Sequence, residues 1–345
     1  MTNRFGWRAG IAGAALAGAV LLSANAAQAE CAAMRKISIG VSVSPPNVVH
    51  TTPYVARELG LFAKHCIDVN IIQFDGGGSP AAKAAAAQGT ALVSVQPVAI
   101  GHGVKVKQIW TLAPRMPQSY TVDKDVKTAA DLKGKRLSAA GGGVGSFNWI
   151  MGREVLKSGG LKPEDANFIS ATTAARLTGL IAGQIDGVSL HPEDVYLAKK
   201  KNEGLHVLVQ LAELMPDWVF NSYGGQIAWV EKDRATMVDA VAAMIEANRA
   251  IYREKDKVIP IMVKATGKPK EAVEYAWDVE TKNCIWSVNE GFDPKRTQWS
   301  IDNDVANGFI KADSKPSVDR VFDEKLAAEA VKAAGGRVTI GKCSL

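Results

Sequence analysis

Short β-rich runs alternate with helix-patterned stretches along this chain, and the alternation breaks off and starts again near residue 118. "KISIGVSV" is a strand pattern, "TPYVARELGLFAKH" spaces its apolar residues as a helix does, with Pro53 in its first turn, and "IDVNIIQF" is again a strand. The loop "DGGGSP", the helix "AAKAAAAQG" and the strand "ALVSV" follow. Strand, helix, strand in that order requires right-handed parallel crossovers and a sheet covered by helices on both faces. The expected class is α/β.

"KQIWTLAPRMPQSYTVDKD", an extended segment holding two prolines, reads as a passage between domains. A second complete α/β unit runs from "TAADLKGKRLSAA" to "LHVLVQL"; "NSYGGQIAWV" is another extended stretch, and the remainder is mainly helical. The expected organisation is a discontinuous first lobe, residues 30–117 and 222–345, with a second lobe, residues 118–221, inserted into it. Two connecting segments between two lobes make a hinge.

Residues 1–29 read as a cleaved signal peptide: Arg4 and Arg8 precede the apolar run "AGIAGAALAGAVLLSA", and "AQA" ends at Ala29. Glu30 before Cys31 disfavours a lipid anchor, so a soluble exported protein starting near Glu30 is expected, in the periplasm. Loss of Arg4 and Arg8 lowers the formal net charge from +6 to +4, with basic and acidic residues interspersed. No nucleic-acid partner is expected. All four cysteines lie in the exported part, which points to disulfides. Three connectivities are open. Cys31 and Cys66 precede the first two strands and can meet if those strands are parallel neighbours, which leaves Cys284 with Cys343.

The phrases "PYVARELGLFAKHCIDVNII", "DGGGSPAAKAAAAQGTALVSV", "KTAADLKGKRLSAAGGGVGS", "LTGLIAGQIDGVSLHPED" and "VFDEKLAAEAVKAAGG", in this order and spacing, resemble a family. It is that of the periplasmic substrate-binding proteins of ABC importers, in the branch that binds nitrate, sulfonates, taurine and thiamine precursors. The resemblance covers residues 36–335. It implies a two-lobed (type II) architecture closing on a small ligand, with a membrane permease and ATPase as partners; capture by such lobes requires no covalent step. A monomer without a cofactor is expected.

In open parallel sheets ligands sit beyond the carboxyl ends of strands, where loops lead into helix starts and unpaired backbone NH groups favour an anion. Two such loops stand out. Gly77, Gly78 and Ser79 follow the strand "IDVNIIQF", with Asp75 nearby as a carboxylate that an anion would avoid. Gly145, Ser146 and Phe147 open the helix after "RLSAA"; Ser146 can cap that helix or turn its hydroxyl on the ligand, and Phe147 can face a ring. The resemblance implies a ligand contact at Ser146, since the matching position in that family usually makes one.

Other candidates come from strand ends. Ser42 and Ser44 follow the first strand, Thr51 and Tyr54 start the next helix, and Gln96 follows "ALVSV". Arg115, in the first crossover, is the nominated cation for a carboxylate or sulfonate. His191 begins the helix after "IDGVSL", and Asn221 and Tyr223 join Trp218 and Phe220 in an aromatic wall at the return crossover. The expected function is capture and delivery of a small organic anion.

Enzymatic readings fit less well. The glycine loop lacks the Gly-Lys-Ser/Thr ending of a Walker loop, and Asn148 breaks the nucleophile-elbow pattern around Ser146. The five histidines, His50, His65, His102, His191 and His206, show no paired spacing, so no metal is expected. A rival exported enzyme, a lyase or thiamine-precursor synthase, has only His191 with Glu193 as an acid and base. A ligand-sensing domain for a signalling partner is the second rival.

Overall fold

The computed structural model describes residues 31–345 except 32, 75–86, 88, 141 and 142. Two five-stranded sheets carry the architecture. The first contains β1 (Arg35–Val41), β2 (Ile67–Gln73), β3 (Leu92–Ser94), β4 (Val106–Ala113) and β10 (Asn221–Gln226), in the order β2-β1-β3-β10-β4. The second contains β5 (Ser119–Val122), β6 (Arg136–Ala140), β7 (Asn167–Ala171), β8 (Gly187–Leu190) and β9 (His206–Gln210), in the order β7-β6-β8-β5-β9. This is the two-lobed α/β fold.

The parallel crossovers read from the sequence are present: β1 pairs with β2 from Arg35 opposite Ile67 to Val41 opposite Gln73, and β6 pairs parallel with both β7 and β8. One strand in each sheet departs from that expectation. The chain leaves β4 for β5 and returns from β9 to β10, and each arriving strand is wedged antiparallel between two others, β5 between β8 and β9 and β10 between β3 and β4. A strand that enters from the opposite lobe meets its sheet from the far end, so it runs against its neighbours. The two passages touch, with Leu211 N donating to Gln118 O at 3.1 Å.

The stretch read as one helix after β1 is two. Helix α1 (Thr52–Glu58) stops before Gly60, whose φ of 72° turns the chain, and Leu61–Lys64 forms a separate turn. The longer helices that matter below are α2 (Phe147–Ser158), α3 (Thr173–Ile181), α4 (Pro192–Lys201), α5 (Arg234–Arg253), α6 (Lys255–Thr266), α7 (Lys270–Lys282) and α8 (Pro294–Ala306). Helix α4 has Glu193 and Asp194 in its first turn and three lysines in its last, a distribution that matches the helix dipole. Helix α5 is buried along most of its length and is capped by Asp233, which accepts from Thr236 N at 3.2 Å.

The largest apolar core includes Ile39 and Trp110 of the first sheet and Tyr120 and Leu137 of the second, so the two lobes share buried surface. Cys31 is bonded to Cys66 and Cys284 to Cys343. The first bond ties the start of β1 to the start of its neighbour β2, and the second ties the end of α7 to the carboxyl terminus. Among the described residues no helix is long and apolar enough to cross a membrane.

Candidate functional site

Buried polar side chains gather where the two sheets meet. The loop after β1 supplies Asn47 and His50; the start of β5 supplies Gln118; helices α2, α3 and α4 supply Asn148, Arg176, and Glu193 with Asp194; and α7 supplies Glu280. Polar groups so deep in a core require partners, because desolvation is otherwise uncompensated.

Some are matched. Glu193 Oε1 accepts from Asn47 Nδ2 at 2.8 Å and from Val48 N at 3.1 Å, a contact that joins the lobes. Asp194 accepts from Lys268 Nζ and lies 3.9 Å from Arg176 Nη2. Asn148 Oδ1 accepts from Ser189 Oγ at 2.8 Å and from Arg176 Nη1 at 3.5 Å. Gln118 Nε2 lies 2.7 Å from His191 Nε2, so in this orientation the amide donates and the neutral ring carries its proton on Nδ1.

Others are left over. Arg176 Nε and Nη2, Asn148 Nδ2, His50 Nδ1, His191 Nδ1, Gln118 Oε1, Glu193 Oε2, Asn221 Oδ1 and both Glu280 oxygens have no hydrogen-bond partner among the described residues. Two guanidinium nitrogens of Arg176 and the amide NH₂ of Asn148 thus keep donor capacity inside the core, with only the longer Asp194 ion pair at 3.9 Å to offset it.

Burial sets the electrostatics. It holds His50 down to about 3, with Arg176 adding to the effect, and holds His191 well below the usual imidazole range, helped by His50, Arg176 and Lys268. Both rings are therefore neutral at physiological pH. Burial, with Asp194 second, pushes Glu193 up to about 7; burial and then Glu193 push Glu280 well above the ordinary carboxylate range. Arg176 is lowered by burial, with Asp194 and Glu193 opposing, and stays a cation.

An aromatic face adjoins this cluster. Phe220, on the return passage, has its ring centroid 5.6 Å from His50, 5.8 Å from His191 and 6.0 Å from Phe147. Phe147 meets Trp218 at 6.4 Å, and Trp218 meets Trp299 of α8 at 6.1 Å, both edge to face.

Of the residues nominated from the sequence, His191 and Phe147 lie in this assembly, and Asn221 is buried beside Phe220. Ser146 caps α2, accepting from Trp149 N at 3.4 Å, and Gly145 precedes it with φ of 87°. Gln96 Nε2 donates to Phe220 O at 3.0 Å, which anchors the return passage to the first lobe. Ser42 is buried, and Thr51 Oγ1 is used within its own turn on Val48 O. Ser44 and Tyr54 form a separate exposed group through Gln73, which accepts from Ser44 Oγ and donates to Tyr54 OH, each at 2.8 Å. Tyr223 packs against Trp110 inside the first lobe. Arg115 is exposed, and the guanidinium placed in the cluster is that of Arg176. Gly77, Gly78 and Ser79 lie outside the described residues.

Asn47, His50, Gln118, Asn148, Arg176 and Glu280 were missed. Two of them left a signal. Arg176 is the single charge in the helix "TAARLTGLI", and Glu280 occupies the apolar stripe of α7 with Ala272, Val273 and Ala276. His50 and His191 meet at 5.7 Å only through the fold.

Comparison with known proteins agrees with this architecture. A Haemophilus influenzae protein that carries a thiamine-biosynthesis name is 30% identical over 183 residues; the match takes in 50% of this chain and 56% of that protein's length. Among solved structures, the alkanesulfonate-binding protein SsuA from Xanthomonas axonopodis pv. citri, bound to MOPS, is similar with a TM-score of 0.63 at 16% identity, covering 87% of this chain and 98% of its own. The periplasmic nitrate-binding protein NrtA from Synechocystis PCC 6803 is similar with a TM-score of 0.69 at 16% identity, over 87% and 89% of the two chains. The fold also serves catalysis: the desulfurization enzyme DSZB, in complex with biphenyl-2-sulfinic acid, has a TM-score of 0.61 at 13% identity, over 87% and 100%. Residues 47–257, which carry nearly all of the buried cluster, match the family described as NMT1/THI5 like, and the chain belongs to that family.

Proposed function

We propose that this protein is a periplasmic solute-binding protein that closes two lobes on a small organic anion of the sulfonate or aromatic carboxylate type and hands it, unaltered, to an ABC permease. The lobes divide at residues 117/118 and 221/222, the signal peptide ends at Ala29, and the protein acts as a monomer. The observation that carries the reading is Arg176, 4% exposed, whose Nε and Nη2 make no hydrogen bond, together with Asn148, whose Nδ2 makes none either. The anionic group sits on those donors, and an aromatic body lies against Phe147, Phe220 and Trp218. The two disulfides fit an oxidising compartment, and the structural likeness to sulfonate- and nitrate-binding proteins supports the class.

Catalysis by His191 and Glu193 has little support in the geometry. His191 Nε2 is engaged by Gln118 and Glu193 Oε1 by Asn47 and Val48, and no hydrogen bond joins the remaining His191 Nδ1 to Glu193 Oε2, so a formed acid and base contact is lacking.

A thermal-shift screen of the purified protein with benzenesulfonate, benzoate, alkanesulfonates, taurine and nitrate tests the proposal, since a ligand that binds only the folded chain raises its melting temperature. A rise with at least one acid, accompanied by compaction in small-angle scattering, is expected. Turnover of the ligand, or no response to any acid with a response to neutral heterocycles, overturns it.

A further inference from the structure

We propose that His191, Glu193 and Glu280 form a binding site for a divalent transition-metal ion of the zinc class, set between the two lobes. One donor atom from each of the three lies within 4.8 Å of the others, and none of the three residues is more than 2% exposed. The atoms that face no partner are the ones an ion needs: His191 Nδ1, Glu193 Oε2 and both Glu280 oxygens.

A proton shared between the two carboxyl groups accounts for less. It would join Glu193 to one oxygen of Glu280 and would leave the other Glu280 oxygen and His191 Nδ1 without partners. An ion engages all three side chains. When both glutamates ionise to ligate, the ion also offsets the three carboxylates, Glu193, Glu280 and Asp194, that are then buried against only Arg176 and Lys268.

The surroundings match a metal's second shell. Asn47 Nδ2 and Val48 N hold Glu193 Oε1 and so aim Oε2 at the site. Gln118 Oε1 is itself without a partner. Rotating the Gln118 amide by half a turn exchanges its oxygen and nitrogen, so that Oε1 accepts from His191 Nε2–H and the Nδ1 lone pair is freed for the ion. A ligating imidazole with its other N–H on a carbonyl oxygen is the arrangement metal sites favour. One imidazole with two carboxylates suits zinc and its first-row neighbours rather than calcium or magnesium, which take oxygen donors alone. Ligands at about 2.0–2.2 Å in a tetrahedron stand roughly 3.4 Å apart, so rotation of the Glu280 carboxylate has to draw the site inward. Three protein ligands leave a coordination position open.

The sequence spacing gives no hint of this set, because its members come from different lobes: His191 and Glu193 begin α4, after β8, and Glu280 lies on α7, after β10. The ion would therefore tie the lobes together. This inference does not rest on the organic anion, and each can fail without the other.

The test uses purified, tag-free protein stripped with a chelator and then loaded with zinc or cobalt(II) in the absence of any organic solute. Elemental analysis after desalting is expected to give one zinc per chain, and cobalt(II) is expected to develop visible d–d bands of a low-coordinate site. Glu280→Gln keeps the shape and removes the charge; it should weaken zinc binding by roughly 100-fold or more, since even second-shell losses cost about 10–100-fold. Glu246→Gln serves as the control, because His65, Asp239 and Glu246 form a second His–carboxylate group nearer the surface. Zinc that is not retained, or that is lost in Glu246→Gln and kept in Glu280→Gln, overturns the proposal. Should Glu280→Gln fail to fold, X-ray absorption of the zinc-loaded wild type decides: a shell with one imidazole and at least two oxygens supports the site, and a shell without imidazole overturns it.

Discussion

Asn47 and Glu193 are hydrogen bonded across the lobes, Nδ2 to Oε1 at 2.8 Å, with both side chains buried. The bond ends on a carboxylate that has few other partners, so its loss leaves that carboxylate poorly compensated. Asn47→Ala is expected to cost about 1.5–3 kcal/mol and to lower the melting temperature by several degrees. Asn70→Ala, on the exposed face of β2, should be nearly neutral by comparison. Calorimetry showing equal melting temperatures for Asn47→Ala and wild type would remove this bond from the list of contacts that hold the lobes together.

Arg176 and Arg115 separate two locations for the anion. Arg176→Met removes the buried fork and is expected to weaken binding of the best acid by about 100-fold or more, while Arg115→Ala changes it by no more than about twofold. Arg176→Lys keeps the charge but loses the planar pair of donors, so it should fall between them. Isothermal titration with circular dichroism as a folding control reads all three. The opposite ranking, with Arg115 dominant, would move the site to the first crossover.

Two groups, the half-buried Asp304 and the buried His50, give stability opposite pH dependences. Burial pushes Asp304 up to about 7 from its ordinary value near 4. Between those values the folded chain holds a proton that the unfolded chain has released, so stability falls as pH rises through the window. Asp304→Asn should therefore match wild type near about pH 4 and exceed it by on the order of 1–3 kcal/mol at pH 8. His50, held down to about 3, acts the other way: below about 6.5 the unfolded chain gains a proton that the folded chain refuses, and stability falls as pH falls. His50→Phe should lose less stability than wild type between about pH 7 and pH 5, by on the order of 1–2 kcal/mol. Urea midpoints at three pH values check both signs.

The parts of this architecture that depend on local pattern were legible in the sequence. Alternation of strand and helix signals, the restart near residue 118 and the helix start at Ser146 all follow from neighbours along the chain. His191 and Phe147 could be placed with the buried cluster because each stands at the start of a helix that follows a strand of the second sheet. What could not be read depends on tertiary burial. Nothing local distinguishes the exposed Arg115 from the buried Arg176 except the apolar company Arg176 keeps on α3, and Glu280 reads as an ordinary surface acid until its place on the apolar stripe of α7 is noticed. The antiparallel sense of β5 and β10 was hidden for the same reason, since strand direction is decided by the lobe from which a strand arrives.

The position of β10 also orders how the molecule can be built. During synthesis β1 to β4 emerge first, yet the slot between β3 and β4 stays vacant until Asn221–Gln226 arrives, after every strand of the second sheet. The inserted lobe, whose strands are contiguous in the chain, can finish before the lobe that encloses it. A chain exposed only as far as Gln210 would thus hold one completed half and one gaping half, with the unpaired backbone edges of β3 and β4 open to a chaperone.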